Sequence, residues 1–142
     1  MLNRKDNLTS KLNESDIFAL VEQVRKTAGK NIGVDYIKPS DGMCFLIGSP
    51  IAEGLKNKQL DVEQLVYVEG QIKHTFIKLK VKNTDQFFLL DHSYQQFTEE
   101  NERLGLPDII LQPIKNENKL IRMLLNHRIP RKYHKIWLSR LF

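Results

Sequence analysis

The chain holds one cysteine, Cys44, so no disulfide can form within it and its fold owes nothing to oxidation. No apolar run approaches the ~20 residues that a membrane-spanning helix needs. The opening stretch "MLNRKDNLTSKLNESD" is basic but lacks the apolar centre of a secretory signal. These absences lead us to expect a soluble protein with a cytoplasmic place of work. Acid is missing where base is densest. Residues 118–142 carry Lys119, Arg122, Arg128, Arg131, Lys132, Lys135 and Arg140 with no Asp or Glu, a charge of +7 in a chain whose net charge is +5, which leaves −2 for residues 1–117. The basic character therefore belongs to one segment, suited to an anionic partner such as nucleic acid, lipid or an acidic protein. The aromatic-plus-basic strand signature of an RNA-binding sheet is absent, which counts against nucleic acid.

What is present points to one domain. A chain of 142 residues, 41% hydrophobic and 27% charged, is long enough to bury a core without staples. Residues 1–14 read as a flexible N-terminus. A helix follows, with Ser15 as its cap, Ile17, Leu20, Val21 and Val24 on one face and Gly29 at its end. "KNIGVDYIKPSDG" (30–42) is punctuated as a loop, and a second helix falls within 43–58. Pro50 leaves that helix two starts: near Met43 with a kink, or at Ser49 with Pro50 in the first turn. The period then changes. "LVYVEG" (65–70), "QIKHTFIKLKV" (71–81) and "QFFLLDHSY" (86–94) read as three strands, the last two joined by the turn "KNTD". Beyond "GLPD" (105–108) come a short "IILQPI" segment, a helix over about 117–127 and a final helix after Pro130. Helices, then antiparallel strands, then basic helices make an α+β pattern.

Three residues supply the parts of a thiol acyl-transfer site. A cysteine attacks carbonyl carbon as a thiolate, which an adjacent imidazolium or a helix N-terminus favours. The imidazole needs a partner that sets its tautomer and orientation. With "KNTD" as the turn, His74 falls about opposite Asp91 on the neighbouring strand, at ends remote from the turn where a cleft can open. Alternation places Thr75, Ile77, Leu79 and Val81 on one face. His74 then shares a polar face with Phe76, Lys78 and Lys80. His92 should point the other way, to the surface. His127 and His134 lie in the basic segment without an acid or cysteine beside them, so no metal site and no cofactor is expected. Trp137, Leu138 and Leu141 read as packing onto the domain, and Tyr94 and Phe97 as core.

The stretches "DGMCFL", "HTFIKL" and "FFLLDHSYQQF", in that order over residues 40–97, resemble the papain-like superfamily in its transglutaminase-like and bacterial toxin or effector branches. The resemblance implies a papain-like core with Cys44 as nucleophile, His74 as general base and acid, and Asp91 as orienter. It also implies a glutamine deamidase or protease with a protein substrate, a host target or cognate immunity protein, and delivery into the cytosol of a target cell. Papain-like proteases carry a glutamine shortly before the cysteine as an oxyanion donor. Here "IKPSDGM" has none, which leaves the Cys44 backbone N–H aided by Ser40, Gln95 or Gln96.

Overall fold

The computed structural model describes residues 13–31, 51–56 and 59–142. Helix α1 (Glu14–Asn31) leads to α2 (residues 51–55). Four antiparallel strands follow, β1 (Leu60–Glu69), β2 (Ile72–Val81), β3 (Phe87–Asp91) and β4 (Ile110–Ile114), adjacent in chain order. Helices α3 (Glu117–Asn126) and α4 (Lys135–Leu141) complete an α+β architecture. No described helix is long and apolar enough to cross a membrane.

The start of α1 lies two residues before the expected one. Asn13 Oδ1 accepts from the Asp16 N–H at 2.8 Å while Asp16 Oδ2 accepts from the Asn13 N–H at 3.3 Å, a reciprocal cap that leaves Ser15 inside the helix. The helix also runs past Gly29, expected as its stop, to Asn31. Its buried face, Ile17 and Val21, joins Ile51, Ala52 and Leu55 of α2. The helices touch closely at Gly54, where a Cβ would stand 2.5 Å from Val24 Cγ1.

The β2–β3 hairpin forms where "KNTD" predicts it. Asn83 takes the left-handed conformation (φ 66°) that asparagine tolerates best among non-glycine residues, and Thr84 Oγ1 donates to the Val81 carbonyl at 2.8 Å. Gly70 (φ 60°) serves the two-residue β1–β2 turn. The expected strand at 65–70 begins earlier, at Leu60, and "IILQPI" supplies a fourth strand. Pro113 is tolerated in β4 because this strand pairs on one side only.

Both faces of the sheet are covered. Ile77, Leu79, Val81, Phe88 and Leu90 pack with α1 and α2. Leu65, Phe76, Leu89 and Ile110 pack on the other side with Leu120 and Leu124 of α3 and Ile136 and Trp137 of α4. The face carrying His74 is therefore not a polar surface. Lys78 and Lys80 stay half-buried at the turn end, Lys78 with its ammonium 4.5 Å from the Phe87 ring centre, while the far end lies beneath α4.

Two devices seat the last helices. Asn116 Oδ1 caps α3 through the Lys119 N–H at 2.9 Å. At its other end Arg128 takes a left-handed conformation (φ 61°) usually left to glycine, and its guanidinium donates to the carbonyls of Glu102 and Leu104. Helix α4 is tied to β1 by the Lys135–Glu69 ion pair, whose carboxylate also accepts from Tyr67 Oη at 3.0 Å.

Candidate active site

His74 and Asp91 meet. The register pairs Ile77 with Leu90, so the two residues are diagonal neighbours on one face rather than direct opposites, a separation their side chains span. His74 Nε2 lies 2.6 Å from Asp91 Oδ2, and both side chains are 0% exposed. The other carboxylate oxygen accepts from the Ser93 N–H at 3.0 Å. Trp137 Nε1 donates to Oδ2 at 2.8 Å. Aromatic rings wall the imidazole: Phe97 edge-on at 4.9 Å, Trp137 at 5.7 Å and Phe76 stacked at 5.9 Å between centres.

Burial by itself would push the Asp91 carboxyl up. The charge of His74 and its hydrogen bond, then His92 and the Ser93 N–H, outweigh that burial and hold the group below the ordinary aspartate range. Asp91 is thus an anion sealed from water beside an imidazole, the arrangement that stabilises an imidazolium when a proton arrives.

The tautomer follows from Gln96. Its side-chain nitrogen donates to the Ser93 carbonyl at 3.1 Å and lies 3.2 Å from His74 Nδ1. The Ser93 carbonyl can only accept, so the amide nitrogen is the atom turned towards the ring. In the neutral ring Nδ1 then receives a hydrogen bond, and the single proton sits on Nε2 against Asp91. Nδ1 is the basic nitrogen.

Gln95 faces elsewhere. Its amide donates to the Pro107 carbonyl at 3.0 Å, as does Tyr94 Oη, so of the two glutamines considered as oxyanion donors Gln96 alone stands at the imidazole. Burial pushes the Tyr94 hydroxyl up to about 12. Tyr94 is buried and Phe97 half-buried in the core beneath α3 and α4, as expected.

The surface position expected for His92 is wrong, since that residue is 1% exposed. Alternation applies only while the strand lasts. β3 ends at Asp91, and the chain turns at once into the 3-10 segment Tyr94–Phe97. His127 and His134 each hold a main-chain carbonyl, of Met123 and Ile129 respectively, both at 2.8 Å. Among the described residues no group of three or more His, Cys, Asp and Glu is placed to hold a metal.

Cys44 and Ser40, residues 43–50 of the expected second helix and residues 1–12 of the N-terminus lie outside the described residues. Two members of the expected triad are therefore brought together, and a residue assigned only to packing joins them. Trp137 is the sole tryptophan of the chain, and a buried indole requires an acceptor for its N–H; that requirement was its one signal in the sequence. Comparison with protein-family models, curated proteins and solved structures finds no match, so a functional reading rests on this geometry.

Proposed function

We propose that the chain is a thiol-dependent amide hydrolase or acyl-transferase with a papain-like core, acting on protein glutamine as a bacterial toxin or effector. The observation that carries this reading is the buried His74–Asp91 pair at 2.6 Å, with Nε2 committed to the carboxylate and Nδ1 left basic. A pair this orientated is of use to a nucleophile, and Cys44 is the one thiol of the chain.

In the proposed reaction His74 Nδ1 takes the Cys44 proton, and the sulfur adds to the carboxamide carbon. Asp91 stabilises the imidazolium. Nδ1–H then protonates the departing ammonia, leaving a thioester on Cys44. Water attacks with Nδ1 accepting its proton, and glutamate and free thiol result. The Gln96 amide, half-buried beside Nδ1, is the side-chain donor best placed to serve the oxyanion. The small domain offers little wall for extended peptide subsites, which favours deamidation over proteolysis.

A second reading draws on the complete burial of His74 and the basic C-terminal segment. In it the pair clasps β2, β3 and α4 together, and the protein binds an anionic partner, an acidic protein or nucleic acid, without catalysis. Intact-mass measurement on candidate protein substrates separates the readings. A gain of about one dalton, lost in Cys44→Ala and His74→Ala, is the deamidase result. Fragments mean a protease of the same chemistry. Unchanged substrates together with a biological effect retained by Cys44→Ala overturn the enzyme.

A further inference from the structure

A groove of about 310 Å³ runs between β4 and α3, away from the His74–Asp91 pair in sequence and lined by none of its residues. Lys119, Arg122 and Asn126 line it from one side of α3, since residues three, four and seven apart share a helix face. Gln112 faces them from β4. Neither Lys119 nor Arg122 forms an ion pair with a described residue, and no described acid lines the groove.

A second observation lies in its wall. His127 is 9% exposed, with Nδ1 bound to the Met123 carbonyl and the ring held edge-on by Tyr94 at 5.3 Å between centres. Its Nε2 has no hydrogen-bond partner among the described residues, although the ring is nine-tenths buried and lines the groove. Nε2 is thus an open acceptor in a groove wall that also carries two unneutralised cations, a combination that a ligand can address.

We propose that this groove binds a small phosphorylated ligand, its phosphate held between Lys119 and Arg122 with the Gln112 and Asn126 amides as further donors, and a hydroxyl of its organic part given to His127 Nε2. Two cations match a dianion, whereas a carboxylate would leave one of them unanswered. The guanidinium supplies a planar fork and the ammonium a point charge, a common pairing at phosphate. With Nδ1–H given to Met123, Nε2 can only accept, and it takes a hydroxyl of the ligand's organic part, since a monoester dianion carries none on phosphorus. The volume lies at the lower end of the range for small-molecule pockets, which suits a phosphomonoester better than a polymer.

The test is titration of the full chain with inorganic phosphate and with glycerol 3-phosphate at constant ionic strength, followed through the His127 ring and Arg122 guanidinium resonances. Saturable shifts are expected. Lys119→Ala and Arg122→Ala should each weaken binding about tenfold, the usual worth of one charge-assisted hydrogen bond, and Arg122→Glu should abolish it. Both side chains are exposed, so unchanged circular dichroism is expected of all three variants and will show that the fold persists. Shifts that rise linearly, that sodium chloride reproduces, or that the variants leave unchanged overturn the site. Tight oligonucleotide binding with steep salt dependence and no saturable monophosphate binding overturns the small-ligand assignment.

Discussion

Trp137 and His74 share one acceptor: the indole Nε1 and the imidazole Nε2 both lie on Asp91 Oδ2, at 2.8 Å and 2.6 Å. A side chain from the last helix thus completes the surroundings of a pair formed by a hairpin. Trp137→Phe keeps a large ring in place and deletes this N–H alone. It should cost about 1.5–3 kcal/mol, the range for a hydrogen bond to a charged group, measured by urea unfolding. An unchanged midpoint would mean that the indole only fills space.

Acid should expose the same carboxylate. Asp91 is held below its ordinary value when folded, so the stability it contributes is present above the unfolded pKa of about 3.9 and is lost as pH falls through the lower folded value. Wild-type melting temperature should drop steeply below about pH 4, and Asp91→Ala should flatten that drop. At neutral pH Asp91→Ala should cost about 3–5 kcal/mol, because it strands His74 and Trp137 without their acceptor. A variant whose acid profile overlays that of wild type would contradict the assignment.

How far the sequence reached is visible in these residues. The hairpin was legible because branched and aromatic residues flank "KNTD", and with it came the meeting of His74 and Asp91, though one diagonal step from direct opposition. The cover over His74 was not legible. The alternate residues along β2, His74, Phe76, Lys78 and Lys80, read as a solvated face until α4 is folded onto one end of it. β4 hid behind its proline, which only an edge strand accepts. His92 was misplaced because strand alternation was carried beyond the residue at which the strand stops. Trp137 joins the site from far along the chain, and no local spacing marks such a contact.

The C-terminal helix should be integral to the fold. Ile136 and Trp137 are fully buried and Lys135 pairs with Glu69 of β1. Removing residues 135–142 should lower the melting temperature more than any single substitution named here, since loss of one large buried aromatic alone costs about 3–5 kcal/mol. Full retention of the melting temperature with loss of partner binding would make this helix a docking element.

Alkali should act through Tyr94. Its hydroxyl titrates at about 12 in the folded chain against about 10 in the unfolded one. The folded state therefore holds the proton more tightly. Stability is fully present below about pH 10 and is lost as pH rises through the folded value. Tyr94→Phe should cost about 1 kcal/mol at neutral pH, by losing the bond to the Pro107 carbonyl, and should remove this alkaline decline. Parallel decline in both proteins would place the alkaline weakness elsewhere.

Adjacent glutamines should separate stability from chemistry. Gln95 is buried and spans to the Pro107 carbonyl, whereas Gln96 places its amide nitrogen 3.2 Å from His74 Nδ1. Gln95→Ala should lower stability by about 0.5–1.5 kcal/mol, the net worth of one hydrogen bond, because the Pro107 carbonyl keeps the Tyr94 hydroxyl, and should leave Cys44 alkylation unchanged. Gln96→Ala should leave stability nearly intact, because its amide is only half-buried. In the proposed enzyme it should slow turnover by about a hundredfold, the scale for loss of one oxyanion donor, and shift the pH dependence of Cys44 alkylation by altering the hydrogen bonding of the basic nitrogen. Gln96→Glu discriminates further, since a carboxylate there accepts rather than donates, draws the ring proton to Nδ1 and leaves the oxyanion without its amide. If Gln96→Ala and Gln96→Glu both retain full turnover, the amide beside Nδ1 is structural and the oxyanion must be held by the backbone.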